Sequence, residues 1–272
     1  MSIIENSLVK RWLTGLILAP VLVIVILLCS ETIFAALVII FTLGGLWEYN
    51  KIVFGDGFVT EKIESMIFAI VIPLIVLCGN NQYLTAILAF SVLIVFILFI
   101  LSIKESNFDA LSVAKVIFGI MYIPFLMSYF VALRMMDKGA LWIMFVLILA
   151  FIGDIAALYV GKYFGRHKMS PLVSPNKTLE GLAGLVVGST MACLIFGHYF
   201  LKEVPLVHIA AIAFAGSIIG QLGDICESAL KRTYHLKDAG SILPGHGGIL
   251  DRLDCLLFIV PFVYYYRIFV IN

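Results

Sequence analysis

Long apolar stretches, parted by short polar breaks, run the length of the chain. Residues 12–30 carry no charge. Nor do 32–47, 65–103, 116–133, 139–153, 181–201, 204–223 or 255–266. One membrane-crossing helix needs about 20 such residues. The stretch 65–103 is long enough for two, and Gly79-Asn80-Asn81-Gln82 divides it with turn residues. The pattern predicts helices over about 12–30, 32–50, 64–79, 83–103, 113–133, 140–162, 180–201, 205–230 and 252–270. The first is read as a permanent span. Its apolar run is longer than that of a cleaved signal, and no small-x-small site closes it. The expected fold is therefore all-α, a polytopic membrane protein with about nine transmembrane helices.

Composition agrees. The chain has 272 residues, 62% hydrophobic and 13% charged, where a soluble domain carries ~25% charge. A net charge of +1 gives no footprint for a nucleic acid partner. The cations also orient the chain. Of 18 Lys+Arg, Arg134, Lys138, Lys202 and Arg267 fall on one side of a nine-span topology, and the remaining fourteen fall on the other. Cytoplasmic loops are the basic ones, so the N-terminus is expected in the cytoplasm. The bacterial cytoplasmic membrane is the expected location. Cys29, Cys78, Cys193, Cys226 and Cys255 form no CxxC pair and read as small packing residues.

Residues 1–135 (spans 1–5) are expected to form N-terminal membrane helices with almost no intramembrane charge. Glu48, at the end of the second span, reads as an interfacial carboxylate within reach of water. Residues 136–272 (spans 6–9) carry the chemistry, with cytoplasmic loops 162–179 and 231–251, in one integral unit. Asp154, Glu180, Asp224, Glu227, Asp251 and Asp254 all lie toward the cytoplasmic ends of these four spans. A charge inside a span costs at least ~2.5–3.5 kcal/mol, so such residues ask for a function. Asp224, Glu227, Ser228 and Lys231 form one helical stripe, and Asp251 and Asp254 share a face. Ion pairing, as between Asp224 or Glu227 and Lys231, accounts for single pairs but not for six acids at one level. Carboxylates with oxygen-only neighbours suit Mg²⁺.

Two loops suit phosphate. Gly245, Gly247 and Gly248 let backbone N–H groups converge on an anion just before the last span. His246 between them is either a donor to phosphate or an ordinary loop histidine. Lys177 and Thr178 place a cation and a hydroxyl before the seventh span.

At these positions the sequence resembles a known family. Ser228-x-Leu230-Lys231-Arg232, Lys237-Asp238, Gly240, Pro244, His246-Gly247-Gly248, Asp251-Arg252 and Asp254 are similar to the signature of the phosphatidate cytidylyltransferases (CDP-diacylglycerol synthases). Gln221-x-Gly223-Asp224-x-x-Glu227-Ser228 and Ser174-Pro175-Asn176-Lys177-Thr178-x-Glu180-Gly181 resemble the family too. The likeness covers roughly 150–256, with Asn176 and Ala239 as small departures. It implies transfer of the cytidylyl group of CTP to phosphatidate with Mg²⁺, giving CDP-diacylglycerol and pyrophosphate. It further implies catalytic roles for Asp224, Lys231, Lys237, Asp251 and Asp254, with Asp224, Asp251 and Asp254 around Mg²⁺ and a second cation left open, and with Lys177, Arg232 and the lysines neutralising phosphates. Ser228 and Glu227 would support the helix face, and a homodimer is implied. From the residues alone, an ion-coupled secondary transporter or another lipid-phosphate transferase stays open.

Overall fold

The computed structural model describes residues 20–79, 81–103, 109–240, 242 and 247–271. Residues 1–19, with Lys10 and Arg11, lie outside it, as do Gly245 and His246 of the expected phosphate loop. The helices follow the apolar pattern. We number them α1 (20–28), α2 (Glu31–Phe54), α3 (Val59–Leu77), α4 (Asn81–Ser102), α5 (Leu111–Arg134), α6 (Gly139–Phe164), α7 (Leu179–Phe200), α8 (Leu206–Thr233) and α9 (Leu250–Ile271). Among the described residues, seven are long and apolar enough to cross a membrane, namely α2 and α4 to α9. The chain is thus an all-helical membrane protein in its main architecture. Helix α3 is not among the seven; Glu61, Lys62 and Glu64 occupy its first two turns.

Local sequence sets the ends. The Ser30 hydroxyl accepts the Ile33 N–H at 3.4 Å to cap α2. Gly55, at φ 57°, ends it. Thr178 caps α7 through the Gly181 N–H at 3.1 Å. Pro124 cannot donate a backbone bond, and α5 passes it through a π-helical turn, Met121–Phe125. Helix α9 is broken early: a single turn, Leu250–Leu253, precedes Leu256–Tyr266.

The segment expected as a loop over 162–179 holds regular structure. Strands β1 (Lys168–Ser170) and β2 (Ser174–Thr178) pair antiparallel, Lys168 opposite Thr178. Fourteen residues between two packed helices are enough for a hairpin whose strands each satisfy the other's backbone. The expectation of a loop there is corrected to that extent, and the all-α class stands.

Helices α6 and α7 approach closely. A Cβ at Gly184 would meet Val160 at 2.6 Å, and one at Gly153 would meet Leu185 and Ser189 at 3.3 Å. Small residues let helix backbones approach where lipid offers no hydrophobic drive for association. The core is led by Leu46, Tyr49, Ile72, Trp142, Phe145 and Leu149. Many apolar side chains, among them Phe90, Leu93 and Ile97 of α4, face outward, as a lipid-facing surface requires. Three of the four cations expected on the outer side make structural contacts. Arg134 donates to the Cys29 carbonyl at 3.0 Å, Arg267 to the Asp137 carbonyl at 3.1 Å, and Lys138 pairs with Glu203.

Candidate functional site

The end of α8 carries the expected stripe, and tertiary packing divides its charges. The Lys231 Nζ bridges the Glu227 Oε2 and the Asp251 Oδ1, each at 2.6 Å. Glu227 is fully buried and Lys231 nearly so. Taking two carboxylates out of water is tolerable only with such pairing. Asp251 also accepts the Gly248 N–H at 2.8 Å and the Ala239 N–H at 3.1 Å. This second carboxylate therefore closes the loop 239–251 onto α8.

In the described part of the glycine-rich turn and just after it, N–H groups point at anions. The anions are the chain's own. Gly248, expected at the phosphates, donates its N–H to Asp251. The Leu250 N–H donates to the Glu48 Oε2 at 2.8 Å. Glu48 comes from α2 and is completely buried, not interfacial as expected. A Cβ at Gly240 would stand 2.6 Å from the Glu48 Cδ, and one at Gly248 would stand 2.5 Å from the Glu48 Oε2. These two glycines leave room for a carboxylate some 200 residues earlier in the chain. Sequence reasoning missed Glu48 as a partner of the loop. The available signal was a lone acid in a helix otherwise free of charge from 32 to 47. Gly247, at φ 87°, takes the left-handed conformation that glycine favours.

A second group of carboxylates lies beside the first. Asp154 of α6 and Asp224 of α8 line one narrow recess with Ser217, Gln221 and Cys255. Asp254, two residues before Leu256 in α9, lies within electrostatic range of both Asp154 and Asp224. A Cβ at Gly223 would stand 2.6 Å from the Asp254 carbonyl, so α8 and the start of α9 touch backbone to backbone. Lys177 of β2 forms an ion pair with Asp224, and the Ser228 hydroxyl donates to the Asp224 Oδ1 at 3.4 Å. The Asp254 Oδ1 accepts the Cys255 N–H at 2.7 Å. The Gln221 side-chain nitrogen is buried with no partner among the described residues.

The donors of this second group are hard oxygen atoms from three helices, which fits a divalent cation of the Mg²⁺ type in chemistry. No cluster of three His, Cys, Asp or Glu with ready metal-holding geometry occurs among the described residues. Asp251, expected as a third ligand, is held by Lys231 and two N–H groups.

The remaining expected residues have definite places. Thr178 spends a lone pair on capping α7. Arg232 fastens the hairpin to α8, its Nε donating to the Val173 carbonyl at 3.2 Å and its guanidinium to the Leu236 carbonyl at 2.6 Å. Lys237 is exposed. Glu180 stands apart from the other acids. It accepts the Arg166 N–H at 3.0 Å and the His167 Nδ1 at 2.6 Å, fixing the turn after α6. All five cysteines are free thiols.

The sequence profile of the cytidylyltransferase family matches residues 9–270. A Bacillus subtilis protein named phosphatidate cytidylyltransferase is 40% identical over 177 residues. That alignment covers 65% of this chain and 65% of that protein, just under two thirds of its length. A Staphylococcus haemolyticus protein of the same name is 31% identical over 259 residues, covering 92% of this chain and 95% of that protein. A third, from Staphylococcus epidermidis, is 30% identical over 232 residues, covering 84% of this chain and 86% of that protein.

Proposed function

Because the chain belongs to the cytidylyltransferase family, we propose that it transfers the cytidylyl group of CTP to phosphatidate, releasing pyrophosphate and forming CDP-diacylglycerol for phospholipid synthesis. An oxygen of the lipid phosphate attacks the α-phosphorus of CTP. The bond from that phosphorus to the bridging oxygen of the β-phosphate breaks, and pyrophosphate leaves with the bond's electrons. No protein nucleophile is needed. The work left to the chain is positioning and charge neutralisation.

Asp224 and Asp254, with Asp154 beside them, would hold Mg²⁺; Asp251 joins only by exchanging Lys231. When bound, the metal neutralises phosphate charge and draws the leaving group's electrons. Lys177 and Lys237 are the cations best able to reach phosphate, one at the acid cluster and one on the exposed loop. Lys231 and Arg232 act by holding the loops around them. Gly247, with Gly245 and His246 beyond the described residues, would bound the nucleotide's phosphates. The observation that carries this reading is the meeting of Asp224, Asp254 and Lys177 where α6, α8, α9 and β2 converge.

The finer topology belongs to the same proposal. Nine spans, a cytoplasmic N-terminus and a cytoplasmic site put the acids where CTP and a lipid headgroup can meet, in a bacterial cytoplasmic membrane. Two copies would pair as a homodimer. The test is turnover by the purified protein in mixed micelles with α-labelled CTP, phosphatidate and Mg²⁺. Labelled lipid and an equimolar amount of pyrophosphate are expected. EDTA should stop the reaction and Mg²⁺ restore it. No labelled lipid, together with ion flux in liposomes altered by Asp254→Asn, would instead establish a transporter.

A further inference from the structure

A groove of about 580 Å³ opens between α2 and α3 and shares no lining residue with the recess of Asp154 and Asp224. Its walls are Leu43 and Trp47 of α2 and Ile63, Met66, Ile67 and Ile70 of α3. Its mouth carries Lys51, Lys62 and Asp56, so the ammonium groups outnumber the carboxylate. The Lys51 Nζ lies 5.4 Å from the centre of the exposed Trp47 ring, and the Lys62 Nζ donates to the Gly55 carbonyl at 2.5 Å. The two helices run in opposite directions from the short turn between them. Each wall therefore descends eight residues below its lysine, Lys51 to Leu43 and Lys62 to Ile70, or about 12 Å at 1.5 Å per residue. Cations at headgroup level, an interfacial tryptophan and two apolar walls beneath match the vertical profile of one phospholipid molecule. Basic pockets between membrane helices on the cytoplasmic side bind anionic headgroups.

We propose that this groove holds a diacyl lipid with a monoester phosphate headgroup, the lipid substrate of the reaction above, before it reaches the carboxylates. This rests on the proposed function. Two observations favour that lipid over a zwitterionic one. Two ammonium groups meet a headgroup bearing about −1.5 to −2 charges, and among the described residues that line the groove Asp56 is the one carboxylate. The groove is also coupled to the site by its own wall. Glu48, one turn before Lys51 in α2, holds the Leu250 N–H at the start of α9.

The experiment uses quenching of tryptophan fluorescence by lipids with brominated acyl chains, with the full chain in nanodiscs of phosphatidylcholine. Trp47 lines the groove, whereas Trp142 is buried in the core. A Trp47→Phe variant assigns the signal. Brominated phosphatidate should quench Trp47 more than brominated phosphatidylcholine at equal mole fraction, and Lys51→Gln with Lys62→Gln should abolish the excess. The same double variant should raise the KM for phosphatidate at least fivefold and leave the KM for CTP unchanged. Equal quenching by the two lipids overturns the proposal, as does an excess that survives the double variant. Equal quenching by brominated phosphatidylglycerol overturns the choice of a monoester. The quenching arm contains no CTP, so it reads the groove even if no cytidylyl transfer occurs. Conversely, turnover with unselective quenching refutes the groove and leaves the enzyme standing.

Discussion

Two groups of carboxylates lie side by side at the ends of α8 and α9, and they are built oppositely. Around Lys231, every charge has a partner: Glu227 and Asp251 share one ammonium, and Asp251 takes two N–H groups as well. Around Asp224 the acids are in excess. Asp154, Asp224 and Asp254 lie within electrostatic range of one another, with Lys177 ion-paired to Asp224 and Arg252 in range of Asp154. The first group resembles a structural clasp, which spends its charge on holding a loop. The second stores repulsion that a bound cation would relieve. Adjacent acids on one helix stripe can thus have separate tasks, set by what packs against them.

That contrast can be broken by mutation. Lys231→Ala leaves the buried Glu227 and the partly buried Asp251 without their cation, so the largest effect is expected on stability, about 3–5 kcal/mol. Thermal unfolding in detergent would read it, and a variant as stable as the parent would show that the clasp is not structural. Asp254→Asn and Asp224→Asn should behave the other way. The fold should survive, while turnover falls by at least ~10²-fold, the scale of losing a preorganised electrostatic group. Turnover within a factor of two of the parent would remove them from the metal's surroundings.

A smaller effect sharpens the role of Glu48. Gly240→Ala pushes a methyl group into its carboxylate. Combining it with Glu48→Ala should recover part of the loss, with a coupling of about 0.5–3 kcal/mol. Strict additivity of the two changes in stability would mean that the close approach carries no energy. Cys226→Ala, on the exposed side of α8 among these acids, should leave turnover within about twofold. Strong inactivation would bring the thiol into the site.

Much of the architecture was legible because the bilayer imposes a coarse rule. A span must be apolar for its whole length, so α2 and α4 to α9 stand out as uncharged stretches, and their ends follow from Ser30, Gly55 and Thr178. The hairpin at 168–178 was not legible, since Lys168–Ser170 and Ser174–Thr178 are polar, short and without alternation. Lys231, Glu227 and Asp224 were visible as one stripe, because helical spacing is local. The Glu227–Lys231 pair was legible too, but the partners brought from elsewhere in the chain, Asp251 for Lys231 and Lys177 for Asp224, were not.

The sequence by itself determined that the protein lives in a membrane, where its helices run, and which few polar residues must serve a purpose, because buried charge is costly and therefore rare. Only the tertiary structure decided how those residues are divided. It brought Glu48 from α2 under the glycine-rich loop, turned the Gly248 N–H toward Asp251, and set Lys177 against Asp224. These contacts join positions far apart in the chain. Their energies depend on distance and burial, which no local pattern encodes.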